Sequence, residues 1–289
     1  MALRDISKYL RLDKFPHIWC PGCGNGIVMQ SVLRGIDKLG LDQNKVAVIS
    51  GIGCSSRAAG YLDFNTLHTT HGRALTFATG IKMAKPELTV IVLTGDGDCS
   101  AIGGNHLIHA ARRNIDLNVV VFNNSIYGMT GGQFSPTTPL NDIAATAPFG
   151  NLDPPFDLCE LTKAAGATYI ARSTTYHATQ ISNFVIKAIQ NKGFSFLDII
   201  TQCPVYYGRM NKIKDAVDML KEQRDNARNI KQWSILSDEE KQGKFVIGEL
   251  HNQPRPEYTE SYQSLIERHI EKRQPSPKSE ERETKSREE

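Results

Sequence analysis

Gly95-Asp96-Gly97-Asp98 follows the run Leu88-Thr89-Val90-Ile91-Val92-Leu93-Thr94 and precedes Gly103-Gly104-Asn105-His106-Leu107-Ile108-His109. The run before it is apolar and β-branched, the composition of a strand buried on both faces. The stretch from Gly103 reads as a helix to Arg113. A second apolar strand, residues 117–122, ends in Asn123-Asn124. Two neighbouring strands joined by a helix therefore each end in a short polar cluster, a carboxylate on the first and amides on the second.

Working outward, strands are expected at 46–50, 88–94, 117–122, 167–172 and 194–201, separated by helices at 27–39, from Thr69 to about Lys85, and at 103–113, 158–165 and 175–191. Five strands alternating with helices specify an α/β fold with a doubly wound, mainly parallel sheet. Such sheets bind ligands at the carboxyl ends of their strands. Residues 125–157 read as a long loop, and its first part is rich in glycine, proline and threonine; loops of that length in compact domains are usually functional or disordered. After Cys203-Pro204 the texture changes. Residues 211–231 are charged and helix-prone, and the end from Gln274 is almost without apolar side chains, which predicts disorder. The expected division is 1–210, carrying the ligand residues, and 211–289, a helical extension with a disordered charged tail. No internal repeat is visible.

The 289 residues, 40% of them hydrophobic, suffice for a sizeable core. The formal net charge of +3, from 34 basic and 31 acidic residues, gives no nucleic-acid footprint. No apolar run approaches the roughly 18 residues a membrane span needs. Met1-Ala-Leu-Arg-Asp5 lacks the apolar core of a signal peptide, so a cytoplasmic location is expected. Six cysteines in that setting point to metal or redox work before disulfides.

The corner after residue 94 suits a hard cation held together with diphosphate oxygens. Mg²⁺ takes octahedral oxygen ligands and usually shares them with phosphates. Asp96 offers a carboxylate oxygen, Asn124 an amide oxygen, and the Ile126 carbonyl a third. Gly95 and Gly97 allow the backbone a sharp turn close to the anion, and the next helix presents its N-terminus to phosphates. Gly-Asp-Gly alone marks only a turn. Followed one strand later by Asn-Asn, it resembles the thiamine-diphosphate motif; the plainer alternative is Asx-turn chemistry at two strand ends.

Cys20 and Cys23 form Cys-x-x-Cys, while Cys54 and Cys203 follow the first and last strands at the edge where Asp96 sits. Four such thiolates can hold a [4Fe–4S] cluster or Zn²⁺; the wide spacing, with only one close pair, favours the cluster. Cys99 and Cys159 read as small buried thiols. His106 and His109 share a helix face and read as packing or capping residues.

Together these features resemble the β subunit of 2-oxoacid:ferredoxin oxidoreductases, most closely those acting on 2-oxoglutarate. The matching stretches are Trp19-Cys-Pro-Gly-Cys-Gly24, Gly51-Ile-Gly-Cys-Ser-Ser56, His71-Gly-Arg-Ala74, Gly95-Asp-Gly-Asp98, Ile102-Gly-Gly-Asn-His106, Asn123-Asn-Ser-Ile-Tyr-Gly-Met-Thr-Gly-Gly-Gln133, Ser135-Pro-Thr-Thr-Pro139 and Cys203-Pro204. They span residues 15–210. The resemblance implies a thiamine diphosphate-binding fold. It implies that Cys20, Cys23, Cys54 and Cys203 bind [4Fe–4S], and that Asp96, Asn124 and the Ile126 carbonyl bind Mg²⁺. Ile52, Gly53, Cys54, Ser55, Gly97, Asp98, Gly128 and Met129 would line thiamine diphosphate, with His71 beside it. The implied activity is oxidative decarboxylation of a 2-oxoacid to its acyl-coenzyme A, with the electrons passing to a ferredoxin.

Two residues bear on substrate choice and proton transfer. Arg57, just past Cys54, can take a second substrate carboxylate, which favours 2-oxoglutarate over pyruvate or a branched 2-oxoacid; a surface or inter-subunit salt bridge is its alternative. His71 can shuttle a proton or donate to a substrate carboxylate. The glutamate that activates the aminopyrimidine in this family comes from another domain, and no second α/β unit here supplies it. A partner α subunit carrying the pyrimidine-binding domain is therefore expected, in an α₂β₂ assembly. A non-redox thiamine decarboxylase or synthase would leave the four cysteines idle. A cluster-bearing redox or structural module would leave Asp96 and Asn124 unexplained.

Overall fold

The computed structural model describes residues 5–213 and 215–271. The strands are β1 Val46–Ser50, β2 Asn65–His68, β3 Thr89–Gly95, β4 Asn118–Asn123, β5 Ile126–Tyr127, β6 Gln133–Phe134, β7 Tyr169–Thr174, β8 Ser195–Ile200, β9 Ala227–Asn229 and β10 Phe245–Asn252. The helices are α1 Asn25–Leu39, α2 Ala58–Tyr61, α3 Ala74–Ala84, α4 Gly104–Arg113, α5 Leu158–Ala165, α6 Ala178–Gln190, α7 Ala216–Asn226, α8 Ile230–Trp233, α9 Asp238–Lys241 and α10 Tyr258–Glu271.

Among the described residues, eight strands form one sheet in the order β2-β1-β3-β4-β8-β7-β10-β9. The five expected strands are all present, and every pairing among them is parallel. Side chains alternate between two cores along each strand, as a period of two requires. Val46, Val48, Ile91 and Leu93 face α1 and α6, while Ala47, Ile49, Val90 and Val92 face α3, α4 and α5. Helices cover both faces, so the sheet is doubly wound, and its carboxyl edge gathers the residues after Ser50, Gly95, Asn123 and Ile200.

The sheet is wider than the five strands expected. β2 was not anticipated because it is a short, largely exposed edge strand with little apolar patterning. The charged segment after residue 211 is not purely helical either. It forms α7, then β9, and β10 returns antiparallel against β7 with an irregularity between Glu249 and His251. β10 is only partly buried and contains Gly248, which hides its alternation. The helix expected from Thr69 begins at Ala74 instead. Thr69 and Thr70 are used in a turn, with the Thr69 amide donating to Ser50 O (2.8 Å) and Gly72 at φ 67°. The long loop contains the small β5–β6 hairpin. The expected disorder from Gln274 lies outside the described residues. Among those described, no helix is long and apolar enough to cross a membrane.

One polar link runs through this core. Arg172 on β7 sits opposite Asp198 on β8 in the strand register. It is 6% exposed, and its Nε donates to Asp198 Oδ2 at 2.8 Å. Its Nη2 donates to Asp157 Oδ1 at 2.6 Å, and Asp157 also caps α5 by accepting from the Cys159 and Glu160 amides. Removing one partner of a buried pair strands the other charge. Arg172→Ala is expected to cost about 3–5 kcal/mol of stability, read as a lower midpoint in urea denaturation.

Candidate active site

A cleft of about 420 Å³ opens at the carboxyl edge of β1, β3 and β4. Its wall contains Ile52, Gly53, Cys54, Ser55, His71, Gly95, Asp96, Gly97, Asp98, Asn124, Ile126, Gly128 and Met129, so the fold brings together thirteen of the residues singled out by sequence. Phe122, Tyr127, Thr130 and Gln133 complete it. Arg57 is not part of this wall; it is exposed at the start of α2, near His68.

Two carboxylates leave β3 and are used differently. Asp96 is 2% exposed. Its Oδ2 accepts from Ser135 Oγ (2.5 Å) and Thr137 Oγ1 (2.8 Å), and its Oδ1 has the long contact from the Asn124 amide (3.4 Å). Burial pushes its carboxyl up to about 6, against the lowering effect of these hydrogen bonds. A divalent cation would offset that burial, and the fit is good: one carboxylate, the Asn124 amide oxygen and the Ile126 carbonyl are the hard oxygen donors Mg²⁺ takes. Asn124 Oδ1 does accept from the Ile126 amide (3.3 Å) in an Asx turn, but an amide oxygen has a second lone pair.

Asp98 is 3% exposed and already fully engaged. Oδ1 accepts from His71 Nδ1 (2.6 Å), the Gly72 amide (2.7 Å) and the Ile52 amide (3.3 Å), and Oδ2 accepts from Thr94 Oγ1 (2.7 Å). Asp98 therefore shapes the wall by holding its neighbours. With Nδ1–H turned to Asp98, His71 keeps Nε2 for the cleft. Gly51 is required here, because a Cβ would lie 1.9 Å from Asp98 Oδ2. Gly97 is required likewise: its Cβ would lie 2.4 Å from the Tyr127 ring, whose hydroxyl donates to Gly97 O.

The cysteines converge beside the cleft. A Cβ on Gly128 would stand 3.5 Å from Cys54 Sγ and 3.6 Å from Cys203 Sγ, so this glycine lies against both sulfurs. Burial, followed by the neighbouring thiols Cys203, Cys54 and Cys20, pushes Cys23 up to about 12. Burial, followed by Cys203 and Cys20, pushes Cys54 up to about 11. Thiols so placed ionise only against metal charge. Among the described residues no three His, Cys, Asp or Glu close on one ion, which a tetrahedral zinc site would need. Cys20, Cys23, Cys54 and Cys203 are all free thiols within electrostatic reach of one another, a donor set chemically suited to a four-iron cluster, in which each iron takes one thiolate. Cys99 and Cys159 are buried elsewhere, as expected.

Sequence reasoning gave no role to several contributors. Trp19 is buried, and its Nε1 donates to Cys54 O at 2.7 Å, which fixes the turn that carries that thiol. The Gly24 amide donates to Gln202 O at 3.2 Å and ties the Cys20–Cys23 turn beside Cys203. Ser135 and Thr137 lay in a stretch with no periodicity to mark them.

The fold and this pocket define the diphosphate-binding class of thiamine enzymes: residues 51–199 match the family model described as thiamine pyrophosphate enzyme, C-terminal TPP binding domain. The chain is 52% identical over 260 residues to 2-oxoglutarate synthase subunit KorB of Methanothermobacter marburgensis, covering 90% of this chain and 91% of that one. It is 52% identical over 266 residues to the KorB subunit of Methanocaldococcus jannaschii, covering 92% and 98%. A solved 2-oxoglutarate:ferredoxin oxidoreductase from Magnetococcus marinus, with 2-oxoglutarate, coenzyme A and succinyl-CoA bound, superposes with a TM-score of 0.82 at 34% identity, covering 93% of this chain and 91% of that one. The chain belongs to the KorB family of 2-oxoglutarate synthase β subunits.

Asp98→Ala removes the shared acceptor of four donors. It is expected to lower the thermal midpoint and to weaken thiamine diphosphate binding at least tenfold, as titrated by fluorescence quenching; unchanged affinity would show that the His71 and Ile52 turns hold their places without it.

Proposed function

We propose that this chain is the thiamine diphosphate- and cluster-binding subunit of an enzyme that converts 2-oxoglutarate, coenzyme A and two oxidised ferredoxins into succinyl-CoA, carbon dioxide, two reduced ferredoxins and a proton. The observation that carries the reading is the position of Gly128. It lines the same cleft as Asp96 and Asn124, and it lies against the sulfurs of both Cys54 and Cys203. Thiamine diphosphate supplies the nucleophile and electron sink for 2-oxoacid decarboxylation, and an iron–sulfur cluster accepts electrons singly.

The chain's own residues do the rest. Asp96, Asn124 and the Ile126 carbonyl hold Mg²⁺ and through it the diphosphate. The backbone of Ile52, Gly53, Cys54 and Ser55, with Gly97, Gly128 and Met129, walls the cofactor, while Asp98 holds the wall in register. His71 presents Nε2 to the cleft, where it holds or returns a proton at the substrate. Arg57, exposed on the turn after Cys54, is the guanidinium this reading offers to the second carboxylate of the substrate. Cys20, Cys23, Cys54 and Cys203 hold the [4Fe–4S] cluster. The activating glutamate comes from an α subunit in an α₂β₂ complex, and the location is the cytoplasm. The division near residue 210 separates the cofactor-holding part from an extension that completes the sheet.

Two measurements test this. Co-purified anaerobically with its α subunit, the protein is expected to reduce a viologen dye with 2-oxoglutarate and coenzyme A; faster turnover on pyruvate or a branched 2-oxoacid would refute the substrate. The protein is also expected to carry about four irons per chain, with Cys203→Ser losing most of them and the visible absorption band. Colourless protein with stoichiometric zinc would rule out the cluster.

A further inference from the structure

The two oxygens of Asp96 are not equivalent. Oδ2 accepts from two buried hydroxyls, Ser135 at 2.5 Å and Thr137 at 2.8 Å, and these side chains are 2% and 6% exposed. Oδ1 has only the 3.4 Å contact from the Asn124 amide. The Ser135 turn is held from behind. The Ser135 amide donates to Thr138 Oγ1 (2.8 Å), which itself donates to Ser125 O (2.6 Å), next to Asn124. Thr137 Oγ1 is also 3.0 Å from Asn123 Oδ1, and the Asn123 amide nitrogen donates to Asp198 (3.0 Å), the partner of buried Arg172. The single Thr137 hydroxyl proton goes to the carboxylate, the stronger acceptor, so the hold on Oδ2 is anchored through Thr138 at Ser125 O.

We infer that Ser135 and Thr137 are positioning residues that fix Asp96 as a one-oxygen ligand and so make the site selective for a small octahedral cation over Ca²⁺; this rests on the reading of Asp96 as a metal ligand. Mg²⁺ demands near-ideal octahedral geometry, with single oxygens from each carboxylate at short range, whereas Ca²⁺ takes six to eight oxygens and accepts a carboxylate with both. With Oδ2 occupied by two donors, only Oδ1 turns to the cation. Without the donors, the carboxylate is free to rotate and offer both oxygens, an arrangement that suits the larger ion.

The test uses the cofactor-stripped complex with its α subunit, titrated with thiamine diphosphate in the presence of Mg²⁺ or Ca²⁺ and followed by tryptophan fluorescence. The wild type is expected to bind more tightly with Mg²⁺. Ser135→Ala combined with Thr137→Val is expected to lose about tenfold in Mg²⁺-supported affinity, the size of one charge-assisted hydrogen bond, and less with Ca²⁺, so that the Mg²⁺:Ca²⁺ ratio shrinks. Thr137→Ser, which keeps the hydroxyl, is expected to retain the wild-type ratio, and Ser135→Ala alone gives an intermediate value where the double variant folds poorly. An unchanged ratio in the Ser135→Ala and double variants overturns the clamp. Wild-type binding that needs no metal overturns the metal site itself, a different result from the same titration.

Discussion

The carboxylate of Asp98 is the constraint on which the site depends. Three separate loops leave the sheet at its carboxyl edge: the glycine-rich turn after β1, the turn before α3, and the start of the helix after β3. Asp98 belongs to the third and accepts from the other two, through Ile52, His71 and Gly72, while Thr94 of its own strand closes the set. Four donors, three on Oδ1 and one on Oδ2, offset part of the cost of burying this carboxylate. The same hub explains why residue 51 has to be glycine. It also separates the two acids of Gly-Asp-Gly-Asp: Asp98 organises protein, and Asp96 is the one the proposed reading gives to a cation.

A second line of polar contacts starts in the core and ends at Asp96. Arg172 neutralises Asp198, Asp198 orients Asn123, and Asn123 Oδ1 lies 3.0 Å from the Thr137 hydroxyl that donates to Asp96. The first asparagine of Asn123-Asn124 therefore faces inward and fixes the loop, and the second faces the cleft. A buried ion pair is a poor source of net stability. Its value here is directional, since a guanidinium with two fixed partners holds an amide in one orientation, and the amide has the hydroxyl chain attached to it.

The parallel core of the fold was legible because its strands are apolar, β-branched runs with a period of two between the faces, as in Val46–Ser50 and Thr89–Gly95. β2 and β9 were not, because edge strands need only one neighbour and half a face of burial; β10, between β7 and β9, was not because it is only partly buried and its sequence carries little alternation. The site was legible where chemistry restricts residue type: a carboxylate and amide after paired strands, and cysteines at strand ends. Trp19, Ser135 and Thr137 act through contacts between segments far apart in sequence, here with Cys54 and Asp96, and no local pattern encodes such a contact. Arg57 shows the converse. Three residues past Cys54, it is exposed and outside the cleft wall, so nearness in sequence does not by itself place its guanidinium at the substrate.

The surface around the cleft bears on why an α subunit is part of the proposed enzyme. Ile52 and Met129, on the cleft wall, are 41% and 42% exposed, and on the loop after Pro139 Phe149 is 100% and Leu152 84% exposed. Leaving large apolar side chains in water costs about 25 cal/mol for each Å², and clusters of them mark surfaces that bury against another protein. A site that transfers single electrons and forms an acyl thioester also gains from excluding water, because water competes for reactive species and weakens every electrostatic contact. In the proposed reading the chain holds the diphosphate end, and two of these apolar residues, Ile52 and Met129, stand exposed on the wall of the cleft itself. A partner seated there would cover Ile52 and Met129, close the cleft, and bring the missing glutamate to the cofactor in a single docking event.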